Sequence, residues 1–374
     1  MSAAIRHSGT SSATCGWPTQ RRHGPHESPA AGSVPRGPGM TPAASALRAP
    51  LRRLRSRVVG DVRVLGLWLL VNGLGRAPVR VLDAIAAVAG TLAWLAVPRL
   101  RTITRSHMRH VLGANAPVAV RDRQARACVR SAARYYADFA RGAHISPDGA
   151  FDAADEISGL DAFFAALDRG CGVVLVSAHL GDPEFMIKAL GAFDFDTLVF
   201  TEPLEPRRVH EFVHRIRGRT GVSFVPADLG GVRDALALLR AGGVVAAVSD
   251  RDVLGTARPY LFFGEPAAMP SGAVELARRT HATIIHGTVL RSAPGRYRVA
   301  LERVNLPAPT GNRSEDIASG MRELIAHLEA GIRRAPGQWF VLSPIWSPDQ
   351  APPAGAVGIS GLTEAQPPTL DEHL

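Results

Sequence analysis

Two short stretches of this 374-residue chain set histidine beside acid. His210-Glu211-Phe212-Val213-His214 spells H-E-x-x-H. On a helix that spacing puts two imidazoles on one face, where they can bind zinc while the glutamate serves as a base. The second stretch is Ala178-His179-Leu180-Gly181-Asp182-Pro183-Glu184, directly after the β-branched run 172–178. A histidine there can take a proton from a hydroxyl if a carboxylate fixes its tautomer and stabilises the imidazolium that forms.

The zinc reading lacks support elsewhere. A zinc site needs a third protein ligand. No glutamate occurs between Glu211 and Glu265. In the longer pattern H-E-x-x-H-x-x-G-x-x-H, Arg217 stands at the glycine position and Thr220 at the last histidine. Asp234 is the remaining acid to consider, and it lies in the helix-like run "VRDALALLRAG". Cys15, Cys128 and Cys171 form no C-x-x-C pair and are odd in number, which argues against a disulfide framework and a cysteine zinc site and fits a reducing compartment. No metal and no cofactor are expected. No G-x-S-x-G elbow is present, and Ser177 and Cys171 read as strand residues rather than nucleophiles.

The elements that would position His179 read as α/β. Strands are expected at 172–178, 197–201, 222–226, 243–249, 282–290 and 297–304, with 339–346 as a further one. Helices are expected at 101–112, 119–142, 205–218, 231–241, 270–280 and 314–334. The alternation predicts a single mixed, mostly parallel β-sheet covered by helices. Ligands of such sheets bind beyond the carboxyl ends of the strands, where His179 emerges. Asp182 can cap the next helix, with Pro183 at its first position. Thr201 and Glu202 follow another strand, and Asp250, Arg251 and Asp252 a third. Three polar strand exits predict a pocket.

The net charge of +10 is concentrated at the amino end: residues 1–60 hold nine Arg and one acid, Glu27. A nucleic-acid enzyme would spread basic charge over its folded core, so no nucleic-acid partner is expected. The basic stretch instead precedes apolar runs at 64–74 and 84–97. Each falls short of the roughly 20 residues of a spanning helix. With Arg48, Arg52, Arg53, Arg55 and Arg57 upstream, they read as interfacial helices on an anionic membrane surface. The organisation is therefore a disordered basic extension (1–45), membrane-associated apolar helices (46–99), a catalytic domain (100–346) and a flexible tail (347–374).

Several segments in order carry a family resemblance. "AHLGDPE" resembles the H-x-x-x-x-D/E motif of the lysophospholipid acyltransferase superfamily. "TRSHMRHVLG" (104–113), "FTEPLEPRRVHEFVHRIRGRTGVSFVP" (200–226), "SDRDVLGTARPYLFFGEPAAMPSGAVELARRTHATI" (249–284) and "GQWFVLSPIW" (337–346) resemble further segments of its lipid A late acyltransferase and phosphatidylinositol mannoside acyltransferase branch. The resemblance spans roughly 60–346. The motif acid is Glu184 where many members have Asp, Asp182 and Pro183 replace more usual small or aromatic residues, and Gln338-Trp339-Phe340 ends its motif differently.

The resemblance implies a glycerolipid acyltransferase-like fold and direct transfer of an acyl group to a hydroxyl. His179 would be the base and Glu184 would orient it. Arg217 would pair with Glu202 across the site, and Glu202, Arg217, Asp250, Arg251 and Asp252 would bind or orient substrate. The donor would be acyl-CoA. The acceptor would be a membrane glycolipid, foremost a phosphatidylinositol mannoside, at the cytoplasmic face of the plasma membrane, with the enzyme peripheral or monotopic. A lipid A precursor acyltransferase using acyl carrier protein, a lipid hydrolase of the same fold and a non-catalytic membrane-binding homologue are the alternatives. Phe262, Phe263 and Met269 are the nearest candidates for an acyl groove, with core packing the favoured role for each.

Overall fold

The structure, a computed structural model, describes residues 61–346 apart from 203, 205, 219, 220 and 254. The expected basic extension, the Arg48–Arg57 cluster and the tail from 347 lie outside the described residues.

Residues 61–72 form helix α1. Helices α2 (Val79–Ala96), α3 (Pro98–Leu112), α4 (Val118–Gly142) and α5 (Pro147–Phe151) follow. The chain then alternates: β1 (Ala154–Ser158), α6 (Leu160–Leu167), β2 (Val173–Ser177), α7 (Pro183–Leu190), β3 (Thr197–Thr201), α8 (Arg207–Arg217), β4 (Ser223–Pro226), α9 (Leu229–Arg240) and β5 (Val244–Val248). A ribbon, β6 (Arg258–Phe262) and β7 (Glu265–Met269), precedes α10 (Gly272–Thr280), β8 (Thr283–Ala293), β9 (Arg296–Val304) and α11 (Arg313–Arg334).

Seven strands form one sheet in the order β1-β9-β8-β2-β5-β3-β4. Only β8 and β9 pair antiparallel within it, so the expected mixed, mostly parallel sheet is present. β2 lies at its centre, and all five of its side chains are buried. Val174 and Val176 join the core with α9, α10 and α11, while Val173 and Leu175 join the core with α6 and α7. This two-residue alternation is how a strand covered on both faces fills two layers.

Four features differ from expectation. β1 adds an edge strand. β6 and β7 form a separate antiparallel ribbon, turned at Phe263 (φ 51°) and Gly264 (φ 81°), as a two-residue hairpin with positive φ at both central positions requires. Residues 339–346 make no strand; Trp339 forms a single antiparallel bridge to Leu180. The apolar run 84–97 belongs to an 18-residue helix, α2, that passes the length and composition expected of a membrane span. The helix extends back to Val79 because Arg80 points outward and Asp83 is neutralised by Arg134 at 2.6 Å.

α2 is two-faced. Leu82, Ala86, Gly90 and Trp94 are buried, with Gly90 close enough to α4 that a Cβ would sit 2.5 Å from the Arg130 Cα. Val81, Ile85, Val88, Leu92 and Leu95 form an exposed stripe at helical spacing, and Val62, Leu65, Trp68 and Leu69 of α1 are also exposed.

Candidate active site

The register of two neighbouring strands builds the site. β2 and β5 are adjacent and parallel, and Ser177 stands opposite Val248. Two residues further on, His179 and Asp250 leave the sheet side by side. The Asp250 carboxylate is fully buried. Its Oδ1 lies 2.7 Å from His179 Nδ1, and its Oδ2 accepts from the His179 backbone N–H at 2.8 Å and from Trp339 Nε1–H at 2.8 Å. Burial alone would raise the Asp250 pKa. The His179 charge, the two His179 bonds and the Trp339 N–H outweigh it and hold the group below the ordinary carboxylate range. An ionised carboxylate only accepts, so the shared proton belongs on Nδ1 and Nε2 is left with a lone pair. The ring is part-exposed (21%), and among the described residues no partner takes Nε2. This is the geometry of a general base.

The loop that carries His179 is pinned from two sides. Asp182 N–H bonds to Val289 O at 3.0 Å, and Gly181 N–H to Gln338 O at 3.0 Å. Gly181 has φ 65°, and a Cβ there would lie 1.7 Å from Val289 O, so the position requires glycine. Asp182 caps α7 by accepting from Phe185 N–H, with Pro183 opening the helix, as expected. Burial and nearby Asp138 push the Asp182 carboxyl up, against the pull of Arg291. Arg291 bonds to Asp138 at 2.7 Å and to Gly181 O at 3.2 Å.

Glu184 stands elsewhere than expected. It accepts from Tyr135 O–H at 2.9 Å and from Arg217 Nε–H at 3.2 Å, with a second Arg217 N–H on the same carboxylate. The expected partners are thus exchanged: Asp250 holds the His179 ring, and Glu184 pairs with Arg217. The first turn of α7 aims Glu184 at α4 and α8, whereas the β5 exit places Asp250 under the ring. Glu202 pairs with Arg251 at 2.6 Å. Arg217 also donates to Thr201 Oγ1 at 3.3 Å. Asp252 shapes its own loop, accepting from Gly255 N–H at 2.9 Å. Ser177 is a strand residue whose hydroxyl donates to Gly287 O.

An open cleft is lined in part by the Glu184–Arg217 pair. Phe139, Ile145, Phe185, Ile187, Ile216 and Phe224 make most of its lining apolar. Phe262, Phe263 and Met269 are buried in the core around Trp339 instead. His210 and His214 lie on α8 with ring centroids 4.0 Å apart. Glu211 is half exposed and pairs with Arg207 one turn away. Among the described residues, no three His, Cys, Asp or Glu side chains are grouped to hold a metal ion.

A base at a strand exit, a pinned motif loop and an apolar cleft lined by Asp182 and Glu184 of that loop fit the acyltransferase motif, and most of the chain agrees. The sequence profile described as bacterial lipid A biosynthesis acyltransferase matches residues 52–347. The chain belongs to this family. It is an acyltransferase of the lysophospholipid acyltransferase superfamily. Among curated proteins of the family, it is 28% identical over 254 residues to the phosphatidylinositol mannoside acyltransferase of Mycobacterium tuberculosis, covering 66% of this chain and 77% of that protein. It is 26% identical over 255 residues to the protein of the same name from Mycolicibacterium smegmatis, covering 66% and 79%.

Sequence reasoning missed Tyr135 and the contact of Trp339 with Asp250. Tyr135 lies mid-helix with no local signal. Trp339 shows only as part of a Q-W pair, and its partner is 89 residues away.

Proposed function

We propose that this acyltransferase moves a long fatty acyl group from acyl-CoA to a hydroxyl of a membrane glycolipid, foremost a phosphatidylinositol mannoside. The observation that carries the chemical step is the His179–Asp250 pair with Nε2 left open. His179 Nε2 takes the acceptor O–H proton as the oxygen attacks the thioester carbonyl. The carbon–sulfur bond then breaks, and the imidazolium returns the proton to the leaving thiolate. Asp250 keeps the ring in the required tautomer and stabilises its charged form. No enzyme nucleophile is involved. The apolar cleft suits the acyl chain, while Glu202 and Arg251, at two neighbouring strand exits, suit the hydroxyls of the acceptor. The names of the mycobacterial relatives support this acceptor.

The exposed stripe of α2, with the exposed apolar residues of α1, supports membrane attachment, which we propose is peripheral or monotopic and at the cytoplasmic face of the plasma membrane. Val88→Asp combined with Leu92→Asp should release the protein from anionic vesicles without unfolding it, because both side chains point away from α4. Retained vesicle binding would remove the attachment.

The reaction is tested by incubating purified protein with labelled palmitoyl-CoA and candidate lipids, followed by mass spectrometry of the product. The proposal expects one new acyl chain on the mannoside and a strong preference over acetyl-CoA. Acylation of a lipid A precursor from acyl carrier protein alone would redirect the donor and acceptor. Release of free fatty acid without acceptor would indicate a hydrolase.

A further inference from the structure

The tripeptide Gln338-Trp339-Phe340 runs antiparallel along the motif loop: Gly181 N–H bonds to Gln338 O at 3.0 Å, and Phe340 N–H to His179 O at 2.9 Å. Each of its side chains then reaches a different part of the site. Gln338 exchanges two bonds with the Arg291 backbone, at 2.9 and 3.1 Å. Phe340 stacks on Tyr135, the donor to Glu184, and meets the His179 ring edge-on. Trp339 is fully buried and gives its indole N–H to Asp250 Oδ2 at 2.8 Å.

We infer that Trp339 is a positioning residue for acyl transfer: its indole N–H locks the Asp250 carboxylate so that Oδ1, and not Oδ2, faces the His179 ring. The inference rests on the base role given to His179 above. Oδ2 sits between two donors, the Trp339 indole and the His179 backbone. With both in place the carboxylate cannot rotate, and all of its remaining acceptor strength is directed at Nδ1. Without the indole, Oδ2 keeps one donor, and a buried charge loses a bond of the stronger, charge-assisted kind. The freed carboxylate draws the imidazole proton more strongly. The charged ring and its carboxylate then interact more strongly, a change that the acid limb of a pH–rate profile reads.

The rest of the cluster supplies a control. Trp346 stacks on Phe262 in the same aromatic core, but its N–H goes to Phe262 O at 3.1 Å rather than to the site. The test compares Trp339→Phe, Trp346→Phe, Asp250→Asn and the Asp250→Asn/Trp339→Phe double variant in the full-length enzyme, with palmitoyl-CoA and phosphatidylinositol mannoside. Trp339→Phe should lower kcat by about 10-fold, leave both KM values within about two-fold, and move the acid limb of the pH–rate profile upward. Trp346→Phe should lower thermal stability with no change in that limb. In the Asp250→Asn background, Trp339→Phe should add less than about two-fold, because both changes act on one group.

Equal kcat losses in the two tryptophan variants, or additive losses in the double variant, would reduce Trp339 to packing and overturn the inference. So would a wild-type profile in Trp339→Phe. If Trp339→Phe does not fold, Trp339→benzothienylalanine removes the N–H while keeping the bicyclic shape, and the same profile decides. A wild-type rate in Asp250→Asn would instead refute the base reading itself, an outcome distinct from a slow Asp250→Asn beside a normal Trp339→Phe.

Discussion

His179 and His210 each have a glutamate close by in sequence, yet the two regions are built differently. His179 leaves a central strand, and its ring is held by a carboxylate from the neighbouring strand, 71 residues away. His210 and His214 share one face of a surface helix, and the intervening Glu211 turns outward to Arg207. The helix provides spacing, and among the described residues the His210 ring accepts only a backbone N–H, from Leu204 at 3.4 Å; the sheet provides a carboxylate partner without local spacing. A base needs its charged form stabilised, so the sheet region carries the chemistry in this account.

Substitutions in the two regions should differ in the size of their effects. The largest effect is expected from His179→Ala, a fall in turnover of about 10³–10⁴-fold, read by palmitoyl transfer. Asp250→Asn comes next, at about 10²-fold or more. Its carbonyl oxygen would remain on the Trp339 and His179 backbone donors, so its NH₂ would face Nδ1. That forces the proton onto Nε2, the wrong tautomer for a base, and nitrogen-15 NMR of the imidazole should show the exchange.

Glu184→Gln should act on the scaffold more than on the base. It removes the negative charge that the largely buried Arg217 meets on Glu184 and should cost about 2 kcal/mol of stability, seen as a lower denaturant midpoint. A pH effect on the acid side confined to Glu184→Gln, with Asp250→Asn normal, would return the orienting role to Glu184.

A third kind of histidine sharpens the contrast. His286 is buried without a hydrogen-bond partner at Nε2 among the described residues, and burial, with His327 nearby, pushes its pKa down to about 4. Its folded-state pKa lies below the unfolded value, so the unfolded chain binds the proton first. The stability it preserves is therefore complete above about pH 6.5 and is lost as pH falls toward 4. His286→Leu should flatten that acid slope in denaturant titrations. The effect is bounded at about 3 kcal/mol and leaves transfer at neutral pH unchanged.

Much of this was legible in advance. Glycine-bounded β-branched runs marked β2 and β5, and Asp182-Pro183 marked the start of α7, because these signals are local. The three polar strand exits followed from the alternation of elements. Whether Asp250 or Glu184 meets His179 was not legible, since that depends on β2 lying next to β5, a fact of strand order. Arg217 was expected opposite Glu202 for the same reason. In sequence Arg80 and Asp83 interrupt the apolar pattern of α2 and make it look too short to span; in the fold one faces outward and the other is paired with Arg134. The apolar neighbours of Trp339 are strand-like in sequence, whereas in the fold the flanking Gln338 O and Phe340 N–H bond to the motif loop.

The most direct test measures palmitoyl transfer from palmitoyl-CoA to phosphatidylinositol mannoside by His179→Ala and His210→Ala side by side, each with a wild-type melting transition. Near-background transfer is expected for His179→Ala and near-wild-type transfer for His210→Ala. A His179→Ala enzyme that turns over normally, above all beside an inactive His210→Ala enzyme, would contradict the base role of His179.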